Sequence, residues 1–327
     1  MPPVASCLAL ASLLAITALS RAAVDVKEMP DRVRVEIDGQ LFTELRFAGA
    51  PHVYYWPLIG PGGVKMTRSW PMAEEPGEER DHVHQRSMWF SHGLVNGVDF
   101  WGEEASYTGT PKHPVGKIVH VKILEAKGGA ESGVLTASQK WVAPDGVVPV
   151  TSTQTLRVYS RPQTERLFDF EVTLTAGEKD VVFGDTKEGT AALRIAESMR
   201  LQGPKNTPGT GQIANSEGDA GKAAWGKRAK WVDMSGPIGG KVYGIAFMDH
   251  PTNPRHPTRW HARDYGLFAA NPFCEAEMDK AQPKGAGDFT LKAGQSVTFK
   301  YRLLLHEGHA AAANVAERYA AFEQGKP

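Results

Sequence analysis

Short runs in which apolar and polar residues alternate recur along most of the chain, and each is cut off by turn chemistry. Val33, Val35 and Ile37 alternate with charged residues, Asp38-Gly39 follows, and LFTELRF comes next. That is a hairpin pattern, because glycine accepts the positive φ that a two-residue turn needs. Similar runs are KIVHVKILEA, GVLTASQKWVA, VPVTSTQTLRVYS and RLFDFEVTLTA, separated by GG, PDG and RPQ. The second half adds AALRIAESMRL, KVYGIAFMD, YGLFAA, GDFTLKAG and QSVTFKYRLLL. A period of two selects strands with one face buried, and close spacing between turns favours antiparallel pairing over βαβ units. The expected fold is therefore all-β, a large antiparallel sandwich. One helix is expected near the C-terminus, where Val315, Tyr319 and Phe322 fall at i, i+4 and i+7 and Gly325 sits past the end.

The first residues follow another rule. The chain is apolar from Val4 to Leu19, and Ser20-Arg21-Ala22 offers a small-x-small cleavage site. Residues 1–22 are read as a signal peptide and 23–327 as one β-sandwich domain, which predicts export. Cleavage removes Cys7 and leaves Cys274, so the core rather than a disulfide must hold the fold. The mature part contains no apolar run of the roughly 18 residues that a spanning helix needs. Lys+Arg and Asp+Glu both number 37, a balance that gives no overall pull toward nucleic acid.

Three stretches concentrate chemistry. Asp81 to Trp101, DHVHQRSMWFSHGLVNGVDFW, holds His82, His84, His92, Arg86 and Trp89 within a long segment, Pro51 to His113, that is poor in alternation. If the backbone is extended, His82 and His84 lie on one face. Grouped neutral imidazoles can hold a divalent metal, or act on a sugar hydroxyl, or be hydrogen-bonded within the core. Asp249 to Phe273 carries Arg259, Trp260 and His261 among other arginines and histidines, the residue types that grip vicinal hydroxyls or carboxylates and stack on sugar rings. Gly184 to Ser198 places Lys187 and Glu188 at the mouth of a strand, with Arg194 and Glu197 on it. Glu188 is either a general acid or base or a member of a surface ion-pair ladder. No phosphate-binding glycine loop, GxSxG elbow, CxxC or HExxH is present.

The ordered set PLIGPGG, TRSWPM, DHVHQRSMWFSHGLVNGVDFWGE, FGDTKEGTAALRIAESMR, NSEG, AAWGKRAKWVDMSG and DHPTNPRHPTRWHARDYGLFAANPF resembles the DUF6807 family, often labelled methane oxygenase PmoA. That label implies a metal-dependent oxygenase. The rhythm of strands with His, Arg, Glu and Trp in the connections also looks like the galactose-mutarotase-like supersandwich, which implies sugar binding and a His paired with a carboxylate. The leading expectation is thus a carbohydrate-active hydrolase, lyase or isomerase, acting on a saccharide or other small polar substrate without a cofactor. In it His84, His92 and Glu188 are catalytic, while Arg86, Trp89, Arg259, Trp260 and His261 bind substrate. The alternatives are an oxygenase with a divalent metal on His82, His84 and His92, and a sugar-binding module without catalysis.

Overall fold

Two eight-stranded antiparallel sheets form the frame of the protein, as seen in a computed structural model that describes residues 23–327. The signal-peptide reading over residues 1–22, with Cys7, lies outside the described residues. The first sheet runs, edge to edge, through Val24–Glu28, Arg32–Ile37, Gln40–Arg46, Tyr54–Tyr55, Met88–His92, Gly189–Arg194, Leu267–Asn271 and Arg259–Trp260. The second runs through Gln212–Asn215, Trp231–Ile238, Lys241–Asp249, Ser296–Glu307, Glu165–Ala176, Val150–Tyr159, Ser132–Val142 and Lys117–Lys127. The hairpin read from Asp38-Gly39 forms, with both residues at positive φ (53° and 71°).

The sheets share one apolar core. Phe42 and Phe90 from the first meet Phe168 and Phe299 from the second, with ring centroids 5.4 Å apart for Phe42–Phe168 and 6.3 Å for Phe90–Phe299. A two-stranded ribbon, Val181–Phe183 with Phe289–Leu291, closes one end, where Phe183, Phe273 and Phe289 stack. The C-terminal helix, Val315–Glu323, buries Val315, Tyr319 and Phe322 against Leu167, Ala246, Met248 and Leu304 on the outer face of the second sheet. Cys274 is a buried free thiol. Among the described residues no helix is long and apolar enough to cross a membrane.

Two local expectations need correction. The stretch from Pro51 to His113 contributes Met88–His92, a strand interior to the first sheet, paired on one side with Gly189–Arg194. All five residues of that strand are buried, so it shows no alternation to read. Conversely, Glu197 does not lie on a strand: the chain leaves the sheet after Arg194 and turns through a short 3-10 segment, Glu197–Met199.

Candidate active site

Three neighbouring strands set the position of the site. Trp89, Ala192 and Ala269 lie side by side on the outward face of the first sheet, in register across Met88–His92, Gly189–Arg194 and Leu267–Asn271. Two alanines beside a tryptophan leave space above the sheet. The loops that leave these strands rise around that space and enclose a cleft of about 450 Å³. Its walls come from His82, His84 and Gln85, from Asp99, Trp101 and Tyr107, from Lys187 and Glu188, and from His261, Arg263 and Tyr265.

The first wall is held by buried charge. Arg68 and Arg194 are fully buried, and both reach the Asp81 carboxylate. Arg68 also donates to the carbonyls of Asp81 and His82, each at 3.1 Å. Those bonds secure a residue in an unfavourable conformation, because His82 has φ 41°. Arg194 donates to Gln85 Oε1 at 2.7 Å and lies 4.7 Å from the Tyr265 ring centroid. Burial and the neighbouring Arg68 charge pull the Arg194 pKa down to about 10. Burial alone would raise Asp81, but the His82 hydrogen bond and the Arg194 and Arg68 charges hold it well below the usual carboxylate range. His82 and His84 do share the cleft, but through a turn closed by Gln85 N–H donating to His82 O at 2.9 Å, not through an extended strand.

The hydrogen-bond partners of the two inner imidazoles differ in kind, a carbonyl for His261 and a hydroxyl for His84. His261 Nδ1 lies 2.9 Å from the Lys187 carbonyl, which can only accept. The Nδ1 therefore carries the proton and Nε2, buried without a partner, presents a lone pair. His84 Nδ1 lies 2.9 Å from Ser106 Oγ, which already accepts from Glu103 N–H at 3.2 Å. The hydroxyl can donate to His84 Nδ1 or accept a second hydrogen bond from it, so this contact fits either tautomer of His84. Burial, reinforced by Arg263 beside His261 and by His82, His52 and Arg86 around His84, lowers both pKa values to about 3, so both rings are neutral.

The carboxylates of the cleft are already engaged. Glu188 pairs with Lys187 Nζ at 3.0 Å. Asp99 accepts from the backbone N–H of Trp101 (2.8 Å) and Gly102 (3.0 Å) and from the Tyr107 hydroxyl. Burial, with Asp99 next, raises the Tyr107 pKa beyond the ordinary phenol range. Trp101 packs on Trp89, ring centroids 5.1 Å apart, so Trp89 is the floor beneath the cleft and not part of its lining.

Of the residues singled out in the sequence, His82, His84, Glu188 and His261 come together, while His92, Arg86, Trp89, Arg259 and Trp260 do not line the cleft. His92 points into the core against Phe183 and Phe273, with Nε2 donating to the Gly184 carbonyl at 2.8 Å. Arg86 forms a forked pair with Glu103. Arg259 is spent on Glu275 at 2.8 Å and on the Gly226 carbonyl at 2.9 Å. Trp260 is fully buried and donates to the Ala229 carbonyl. The metal set His82, His84 and His92 is thus divided between cleft and core. His82 Nδ1 and His84 Nδ1 are committed to Asp81 and Ser106. Among the described residues no three His, Cys, Asp or Glu side chains are gathered to hold an ion, so these residues do not fit the metal that the oxygenase label implies. Trp101, Tyr107, Asp99, Arg263 and Tyr265 went unassigned because only tertiary folding brings them to one wall.

An outward-facing cleft above the first sheet of a two-sheet β-sandwich, walled by loops that carry neutral imidazoles, aromatic rings and a carboxylate, defines the class. The chain belongs to the DUF6807 family, a family of unknown function, whose profile matches residues 32–320. Comparison with curated protein sequences gives no match. Among solved structures, a galactose mutarotase related enzyme from Lactobacillus acidophilus is 8% identical over 86% of this chain and 97% of its own, with a TM-score of 0.37. A glycoside hydrolase family 97 enzyme from Pseudoalteromonas sp. strain K8, in complex with acarbose, is 9% identical over 88% of this chain and 34% of its own, with a TM-score of 0.33. An aldose epimerase homologue from C. elegans is 8% identical over 88% of this chain and 99% of its own, also with a TM-score of 0.33.

Two predictions follow from the electrostatics. Asp81→Asn leaves two guanidinium groups buried without their counter-charge, which costs about 3 kcal/mol; the midpoint of urea unfolding should fall, and an unchanged midpoint would contradict the role given to Asp81. His52, His92 and His261 are buried and neutral, with burial lowering their pKa values to about 4, 4 and 3. The unfolded chain binds protons on these residues below about pH 6.5 and the folded chain does not. Stability should therefore be level above pH 7 and fall as the pH drops from 6.5 toward 4, by about 2 kcal/mol per histidine at pH 5. Thermal unfolding between pH 7.5 and 5 measures it.

Proposed function

We propose that the cleft performs acid–base chemistry on a saccharide. The observation that carries the reading is the gathering of two neutral imidazoles and a carboxylate in one cleft: His261 offers an Nε2 lone pair, and His84 and Glu188 line the same space. A sugar carries hydroxyls that both donate and accept, and imidazoles with a carboxylate can answer both. Tyr107 and Trp101 supply apolar ring surface for the sugar's C–H groups.

In this reading Glu188 takes the proton of a sugar hydroxyl and returns it to the leaving or ring oxygen, while the neutral His84 ring hydrogen-bonds the reacting sugar oxygen and keeps its own proton. His261 accepts from a substrate hydroxyl and so orients the ring. Both imidazoles act here as neutral hydrogen-bond partners, because a neutral ring that gave up its proton would be left as an imidazolate.

Turnover of a panel of oligosaccharides and oxidised sugars tests the assignment. Glu188→Gln should lower kcat by roughly 10²–10⁴-fold with little change in KM, and His84→Ala should do the same. Tyr107→Ala should raise KM. Full activity in both Glu188→Gln and His84→Ala would sink the catalytic roles; binding without turnover by the wild type would make the protein a sugar-binding module.

The apolar leader over residues 1–22 supports a second proposal, that the protein is exported and begins near Ala23 when mature. The intact mass of the protein recovered from an exporting host should match a chain that starts there, and retention of residues 1–22 would overturn it.

A further inference from the structure

Arg263 stands apart from the other arginines near the cleft. Arg68 and Arg194 share Asp81, Arg86 holds Glu103, and Arg259 holds Glu275. Arg228 is bonded to Glu275 and to two carbonyls, and Arg255 to three carbonyls. Arg263 lines the cleft, and its guanidinium meets no carboxylate and no carbonyl among the described residues. Its guanidinium carbon lies 5.1 Å from the Tyr265 centroid, and the nearby groups that feel its charge include His261 and Lys187.

The carboxylates nearby are all taken. Asp264, next in sequence, pairs with Lys222 at 2.8 Å. Glu188 pairs with Lys187. Glu277 accepts from the Lys187 backbone N–H at 2.8 Å. Asp99 is filled by two backbone N–H groups and the Tyr107 hydroxyl. No internal anion is left to answer Arg263.

Its backbone is also fixed. Arg263 N–H donates to the Leu267 carbonyl at 2.7 Å, and Gly266 N–H returns to the Arg263 carbonyl at 3.0 Å. Gly266, at φ 94°, closes this tight turn where a side chain would be strained. A rigid turn and an aromatic face therefore present a planar fork of donors toward the cleft. Such a fork matches the two oxygens of a carboxylate, and a single guanidinium balances a single negative charge.

We infer that the saccharide bound in this cleft is an acidic sugar, and that Arg263 recognises its carboxylate as in a hexuronate. The inference rests on the saccharide reading above and adds the charge of the substrate to it. The bond is a charge-assisted pair, so removing the guanidinium should weaken uronate binding by roughly tenfold to a hundredfold more than it weakens binding of the neutral sugar.

Calorimetric titration with matched probes tests this. D-glucuronate is set against D-glucose and D-galacturonate against D-galactose, with glucose 6-sulfate and glucose 6-phosphate as other anionic sugars. The wild type should bind each uronate at least tenfold more tightly than its neutral counterpart and more tightly than the sulfate or phosphate ester. Arg263→Gln should remove that preference, and Arg263→Lys should keep part of it. Thermal unfolding of both variants checks that they are folded; should Arg263→Gln fail to fold, raising the salt concentration on the wild type should erode the uronate preference and spare neutral sugars. Equal binding of uronate and neutral sugar, a preference that survives Arg263→Gln or high salt, or a preference for the sulfate or phosphate ester would overturn the inference. In the first two cases, loss of all binding in Tyr107→Ala would leave the saccharide reading standing. Binding of none of the probes would count against both.

Discussion

The burial of Arg68 and Arg194 against Asp81 is the interaction on which the site depends. Both guanidiniums are fully withdrawn from water, which is unfavourable unless each finds an anion and enough acceptors. Asp81 supplies the anion, while the Asp81 and His82 carbonyls and Gln85 Oε1 supply the acceptors. Pairing the terminal nitrogens of both arginines draws the loop over the first sheet, although the Nε of each stays unpaired, and it holds His82 in a left-handed conformation that an unsupported chain would relax. The position of His84 follows from that loop.

Once the loop is set, the cleft works by a division between neutral and charged groups. Burial removes charge from the inner imidazoles, and the Lys187 carbonyl fixes the proton of His261 on Nδ1. The carboxylates are paired in advance, Glu188 with Lys187 and Asp99 with Tyr107 and backbone N–H groups. That pairing holds each group in place within the cleft. The small residues Ala192 and Ala269 matter as much as the polar ones, because the space above the sheet exists only where side chains are short.

How far the sequence could be read depended on whether a signal was local. Long strands with one polar face announced themselves, and so did the helix with Val315, Tyr319 and Phe322. Met88–His92 did not, since a strand buried on both faces has no alternation, and that is why His92 resembled a site residue when it is a core one. Arg259 and Trp260 have the chemistry of ligand-binding residues, yet Glu275, Asp279 and the Ala229 carbonyl consume their donors. Tyr107 lies outside the stretches that concentrate chemistry, while Trp101 and Arg263 lie within them but were given no role, since what matters is which partners they lack or meet across the cleft.

The sequence by itself determined the all-β architecture, the hairpin at Asp38-Gly39, the C-terminal helix and the stretches from which the cleft is built. Periodicity, turn residues and composition act over a few positions and do not need the rest of the chain. Only the tertiary structure decided which histidines face the cleft, which nitrogen of His261 bears the proton, and which arginine is left without an anion. Those properties belong to pairs of residues far apart in sequence, such as His261 with Lys187 or Arg194 with Asp81, and they exist only after burial has removed water as the alternative partner.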